Sequence, residues 1–247
     1  MQLTVVGCGD AFGSGGRLQT CFHVATASGA FLIDCGASAL IGMQRAGLAP
    51  NDVGTILISH LHGDHFSGLV WWLLHAQHVG RRTAPLLIAG PAGTEARLEQ
   101  CCEVLFPGST AQPRRFALSF QAITAGKPCA VGALQLTAFP VSHPSGAPSH
   151  ALRIEADGRA IGFSGDTEWV EALTDCARDT ALFITECYAY DRLSRYHMNW
   201  RALAPNLGRL RASRIMLSHM SADMLAHADE ARRAGVIVAE DGMVLDV

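Results

Sequence analysis

Six consecutive residues, His60-Leu61-His62-Gly63-Asp64-His65, carry three imidazoles and a carboxylate directly after the apolar run Thr55-Ile56-Leu57-Ile58-Ser59. Residues two apart on an extended strand end point the same way, so His60 and His62 can offer ring nitrogens to one metal ion. Gly63 permits a turn, and Asp64 and His65 then open a helix, displaced enough to hold a second ion nearby. Polar groups so concentrated beside an apolar strand are costly unless they are paired or ligate a cation. The chemistry implied is that of half a dinuclear metal centre.

Two ions need about three further ligands, and the chain offers them at the ends of later apolar runs. His143 closes Phe139-Pro140-Val141-Ser142, Asp166 follows Ile161-Gly162-Phe163-Ser164-Gly165, and His219 follows Ile215-Met216-Leu217-Ser218. The repeated plan, apolar strand and then ligand, gathers these groups on one edge of a sheet. A carboxylate shared by two dications about 3.5 to 4 Å apart lowers their mutual repulsion, which is the natural role for Asp166. His60, His62 and His143 then hold one ion, and Asp64, His65 and His219 hold the other. Imidazole and carboxylate ligands suit two divalent ions, zinc first, with manganese or iron as the other candidates.

The elements that position these residues are short. Apolar runs bounded by Gly, Pro or Asp predict strands at residues 3–6, 31–34, 55–59, 86–89, 134–141, 151–156, 160–164, 182–185, 215–218 and 243–247. Helical patterns fall at 67–78, 94–105, 168–177, 200–210 and 222–235. The runs at 134–141, 151–156 and 160–164 are joined by turn residues alone and predict antiparallel hairpins. A purely parallel sheet therefore fits poorly, and the class is α+β (α/β): two mixed sheets face to face with helices outside. A length of 247 residues, 49% hydrophobic, with no long linker or repeat, predicts one domain over residues 1–247.

With these motifs assembled, the chain resembles a metallo-β-lactamase superfamily hydrolase of the ribonuclease Z-like, phosphodiesterase-containing branch. The resemblance runs from Gly7-Cys8-Gly9-Asp10 through Leu32-Ile33-Asp34-Cys35-Gly36 to Ser218-His219-Met220-Ser221. In that family the H-x-H-x-D-H segment, a later His, the Asp of Gly-Asp-Thr and a final His bind two metals, usually zinc, and all seven positions are present here. The resemblance implies a four-layer αββα sandwich with the site at one edge of the β-layers. It also matches Glu186, after the strand Leu182-Phe183-Ile184-Thr185, and His197, in Tyr196-His197-Met198-Asn199-Trp200, to a Glu and a metal-facing His of that branch. Glu186 then orients His197, and His197 serves the leaving oxygen or binds the phosphate. The Gly-rich turn Gly13-Ser14-Gly15-Gly16-Arg17 lacks the spacing of a nucleotide cradle. The resemblance puts it near the site, with Ser14 and Arg17 in reach of substrate.

The mechanism implied is hydrolysis by a metal-bridging hydroxide, with Asp64 orienting it or accepting its proton and His197 as proton donor. Bond type is left open between phosphodiester and carboxylic ester, lactone or thioester. Members that process tRNA 3′ ends carry a long basic arm; no such insertion is visible, and net charge is −3 with no long Lys/Arg run. We therefore expect a small phosphodiester, such as a cyclic or activated nucleotide, and not long nucleic acid. A non-catalytic binding protein is disfavoured because no ligand is missing, and a di-iron protein because His62 stands where those relatives carry Glu. No stretch has membrane length and no secretory pattern precedes Leu3, which predicts a cytoplasmic protein. The eight cysteines show no C-x-x-C spacing and read as buried free thiols. Oligomeric state is not legible; the resemblance is compatible with a homodimer and implies no more.

Overall fold

The computed structural model describes every residue from Met1 to Val247. Short apolar runs, each cut by a turn, become strands β1 (Gln2–Gly7), β2 (Cys21–Thr26), β3 (Gly29–Ile33), β4 (Val53–Leu57), β5 (Leu86–Gly90), β6 (Leu118–Ala122) and β7 (Cys129–Val131). They continue as β8 (Leu134–Pro140), β9 (His150–Ala156), β10 (Arg159–Phe163), β11 (Leu182–Glu186), β12 (Ile215–Ser218), β13 (Ile237–Val238) and β14 (Val244–Asp246). Two seven-stranded sheets result, ordered β14-β1-β2-β3-β4-β5-β6 and β13-β12-β11-β10-β9-β8-β7. Both are mixed: β3 to β6 run parallel, as do β10 to β13, while β1–β2–β3 and β8–β9–β10 are antiparallel.

Period-two alternation decides which face each side chain takes. Phe31, Ile33 and Leu57 join Leu136, Leu152, Ile154, Ile161, Phe163 and Ile184 in one cluster between the two sheets. Their neighbours Leu32, Ile56 and Ile58 face outward onto the helices Ala39–Arg45, Gly68–Leu74 and Thr94–Leu105. On the second sheet Phe183 and Leu217 face outward onto Ala172–Ala177, Trp200–Leu203 and Ala222–Ala226. Helix, sheet, sheet, helix is the four-layer αββα order expected. Phe22 and Phe163 meet edge to face across the central layer, with ring centroids 5.7 Å apart.

Several local expectations change. β2, β6, β7 and β13 and the helix Ala39–Arg45 went unpredicted. The helix expected over 200–210 is broken into Trp200–Leu203, a single turn Ala204–Asn206 and Leu207–Leu210, because Pro205 has no N–H to continue it. The helix expected over 168–177 begins at Ala172, and that over 222–235 is split at His227. No helix is long and apolar enough to cross a membrane.

Candidate metal centre

Parallel pairing puts the C-terminal ends of β3 and β4 on one edge of the first sheet. β8 and β10 each run antiparallel to β9, and β10, β11 and β12 are parallel, so four strand ends share one edge of the second sheet. Asp34 follows β3, the histidine motif follows β4, His143 follows β8, Asp166 follows β10, Glu186 ends β11 and His219 follows β12. The structure thus brings all seven residues singled out as metal ligands together, although they span 160 positions of sequence.

They form two groups. His60, His62 and His143 make one, and Asp64, His65, Asp166 and His219 make the other, with the ligand atoms of each within 4.8 Å of one another. Asp166 lies between them, its carboxylate 3.3 Å from His65 Nε2, 3.4 Å from His219 Nε2 and 3.8 Å from both His60 Nε2 and His143 Nε2. His60 Nε2, His65 Nε2 and Asp166 Oδ1 are buried and make no hydrogen bond. Inward-facing nitrogens and an oxygen that lack partners at full burial are costly as they stand, and this donor set fits divalent cations.

The outward ring nitrogens of His65 and His143 are held by the scaffold. His65 Nδ1 lies 2.7 Å from the Asp34 carboxylate, which also accepts from the Ser59 N–H at 2.7 Å and Ser59 Oγ at 2.8 Å. His143 Nδ1–H donates to the Tyr196 carbonyl at 2.9 Å. Such outer partners fix ring orientation and leave the other nitrogen for a ligand. Asp34, Tyr196 and His219 all have positive φ, three of the seven non-glycine residues that do, so backbone strain collects at this edge. Gly63, by contrast, needs no glycine freedom: it opens the helix Gly63–Phe66 at ordinary φ, and a Cβ there would make only ordinary contact with the Ser67 side chain, 3.9 Å away.

Arg97, from the helix Thr94–Leu105, ties two ligand loops together. Its guanidinium donates to the carbonyls of Leu61 at 3.3 Å, Ser145 at 2.8 Å and Gly146 at 3.4 Å, and so spans the His60–His62 and His143 turns.

The two groups differ in charge. Burial lowers His60, His62 and His143, the last to about 4, so these imidazoles are neutral. Burial would also lower His65 and His219, but Asp166 and then Asp64 outweigh it, raising His219 to about 9 and His65 well above its ordinary value. For Asp64 and Asp166 the cost of burial is outweighed in turn by His65 and His219, which keep both below the usual carboxylate range.

His197 Nδ1 lies 3.2 Å from both carboxylate oxygens of Glu186, as expected, and Glu186 also accepts from the Thr167 N–H. Burial lowers the His197 pKa, but the Glu186 carboxylate outweighs it and leaves a net rise. The cluster opens on a cavity of about 180 Å³ walled by Phe12, Asp64, Asp166, Tyr188, His197 and His219. Ser14 and Arg17 are not among its walls: Ser14 Oγ donates to Asp10 at 2.8 Å, and Arg17 lines a neighbouring groove. Asp34, Arg97, Phe12 and Tyr188 carried no assigned role at the sequence level. Only Asp34, placed after a strand like the ligands, offered a signal.

Comparison with known proteins agrees with the fold. The family model described as Anti-Pycsar protein Apyc1 matches residues 1–242. Ribonuclease BN of Cronobacter sakazakii is 37% identical over 117 residues, which is 47% of this chain and 36% of that protein, so the match spans about a third of it. Ribonuclease Z of Mycobacterium bovis is 23% identical over 239 residues, covering 89% of this chain and 85% of that one. Among solved structures, the metallo-β-lactamase fold protein YhfI from Bacillus subtilis superimposes with a TM-score of 0.80 at 20% identity, covering 99% and 98% of the two chains. The short form of human tRNase Z gives 0.80 at 22% identity over 100% and 99%, and a diphosphatase from the PhnP family gives 0.78 at 18% over 100% and 97%. The chain has the metallo-β-lactamase fold and stands among hydrolases of that fold, as the motifs implied.

Proposed function

The chain belongs to the Anti-Pycsar protein Apyc1 family, and on that premise we propose that it is a two-metal hydrolase of small phosphodiesters, a cyclic or activated nucleotide foremost. The observation that carries the reading is the pair of ligand groups joined at Asp166, with buried donors aimed inward and unpartnered. Two divalent ions held there, zinc first, would supply Lewis acidity and would bring the pKa of water from 15.7 toward about 7. His60, His62 and His143 would hold one ion and Asp64, His65 and His219 the other, with Asp166 in reach of both groups. Asp64 orients the attacking water through a carboxylate oxygen. Glu186 accepts the Nδ1 hydrogen of His197 and turns Nε2 toward the cavity, and the raised pKa of His197 keeps a proton there for the leaving oxygen.

Cavity size and net charge favour a small substrate. A cavity of about 180 Å³ admits a phosphoester with little else, and a net charge of −3 offers a polyanion no net long-range attraction. The ribonuclease Z relatives support RNA as a second reading, since the match to the Mycobacterium bovis protein covers 89% of the chain. Carboxylic esters, lactones and thioesters are the remaining class the same centre serves. We read residues 1–247 as one hydrolase domain, and eight free thiols, six of them buried, fit a reducing cytoplasm. The test is turnover by metal-loaded protein of cyclic mononucleotides, a precursor tRNA, a lactone and a thioester side by side. The reading expects the cyclic nucleotides to be hydrolysed fastest; a lactone or thioester preferred over every phosphodiester contradicts it.

A further inference from the structure

The cavity over the ligand cluster is smaller than the roughly 300–1,000 Å³ of sites that enclose a drug-sized ligand, so anything a substrate carries beyond its phosphoester lies across the rim. Phe12 forms that rim. It walls the cavity on one side and, on the other, an open groove of about 380 Å³ shared with Arg17, Leu18, Ser38 and Ile41.

Phe12 is 83% exposed. One exposed apolar residue is ordinary, but this one is anchored. Asp10, 1% exposed, accepts from the Phe12 N–H at 3.2 Å and the Ser14 N–H at 2.8 Å, and Gln19 Nε2 donates to the Ala11 carbonyl at 3.1 Å. The same segment is joined to the strand end that carries His219, whose N–H donates to the Cys8 carbonyl at 2.9 Å, and Gly9 bridges to Met220. An exposed aromatic ring on an anchored backbone thus stands beside the candidate ligand cluster.

We propose that Phe12 is the stacking platform of a nucleobase subsite, on which the base of a nucleotide lies while its phosphate reaches the ligand cluster. The inference rests on the phosphodiester reading and names its substrate class. A heteroaromatic base suits an open rim because its faces stack while its polar edges stay in water, whereas an aliphatic chain asks for an enclosed apolar pocket.

The experiment is calorimetric titration of metal-loaded protein with adenosine 5′-monophosphate and with ribose 5-phosphate, for the wild type, Phe12→Ala and Phe12→Trp. Wild type is expected to bind the nucleotide about tenfold tighter than the base-free sugar phosphate. Phe12→Ala loses that difference and Phe12→Trp keeps it. Equal affinity for both ligands in the wild type, or a difference that survives in Phe12→Ala, overturns the subsite. Hydrolysis of a cyclic nucleotide, followed in parallel, separates the two ideas: turnover without base-dependent affinity removes the subsite and leaves the hydrolase, and base-dependent affinity without turnover does the reverse.

Discussion

At the scale of single residues, three of the inward imidazoles carry an outward restraint, whereas His219 Nδ1 is buried without a partner. Asp34 restrains His65, Ser59 Oγ lies 3.0 Å from His60 Nδ1, and the Tyr196 carbonyl restrains His143. Asp34→Asn keeps an acceptor but loses the charge behind His65, and outer partners of this kind are worth about 10- to 100-fold in metal affinity. Competition with a chromophoric chelator is expected to show a loss in that range; affinity equal to wild type would remove Asp34 from the centre. His197→Ala should slow substrates with poor leaving groups more than those with good ones, because only the former need a proton from Nε2. Equal slowing across a leaving-group series would give His197 a binding role. The seven candidate ligands were legible because each follows an apolar run and three imidazoles with a carboxylate fall within six positions. Phe12 and Tyr188 were not, since an aromatic side chain at a turn carries no mark of what it faces until the strand ends converge.

At the scale of elements, strands were legible where an apolar β-branched run met a glycine or proline, and hidden where the pattern was diluted. β2 carries His23 within Cys21–Thr26, and β6 alternates Leu118, Phe120 and Ala122 with polar residues on a sheet edge. The helix Ala39–Arg45 was masked by Gly42, which lowers helix propensity yet is needed: a Cβ there would meet the Val6 carbonyl at 2.4 Å, where the helix crosses the sheet. The helix Thr94–Leu105, legible to the residue, does more than cover the sheet, because Arg97 reaches from it to both histidine turns. Arg97→Met should weaken metal retention about tenfold, by the same reasoning as for other outer partners. Dialysis against a weak chelator followed by metal analysis measures this. An equal loss of thermal stability with and without metal would reduce Arg97 to a loop brace.

At the scale of the molecule, the centre exists because two sheets present their strand ends at one edge. Asp34, His60, His62, Asp64 and His65 come from the first sheet, and His143, Asp166, Glu186, His197 and His219 from the second or the loops that follow its strands. Metal ions held there would tie the two halves together, and a ligand that binds only the folded form stabilises it by mass action. Saturating zinc should therefore raise the melting temperature of wild type more than that of Asp166→Ala; identical shifts would mean that the stabilising ion binds elsewhere. The sandwich itself was foreseeable from strand runs joined both by helices and by tight turns. The edge on which the ligands converge followed from the plan of strand and then ligand, whereas the cavity and its aromatic rim required the assembled structure. The most direct test is hydrolysis of a cyclic nucleotide by wild type and Asp166→Ala, with metal bound per chain measured in the same samples. The account predicts two ions and turnover in the wild type, with both reduced in the variant; full turnover by a folded Asp166→Ala protein would contradict it.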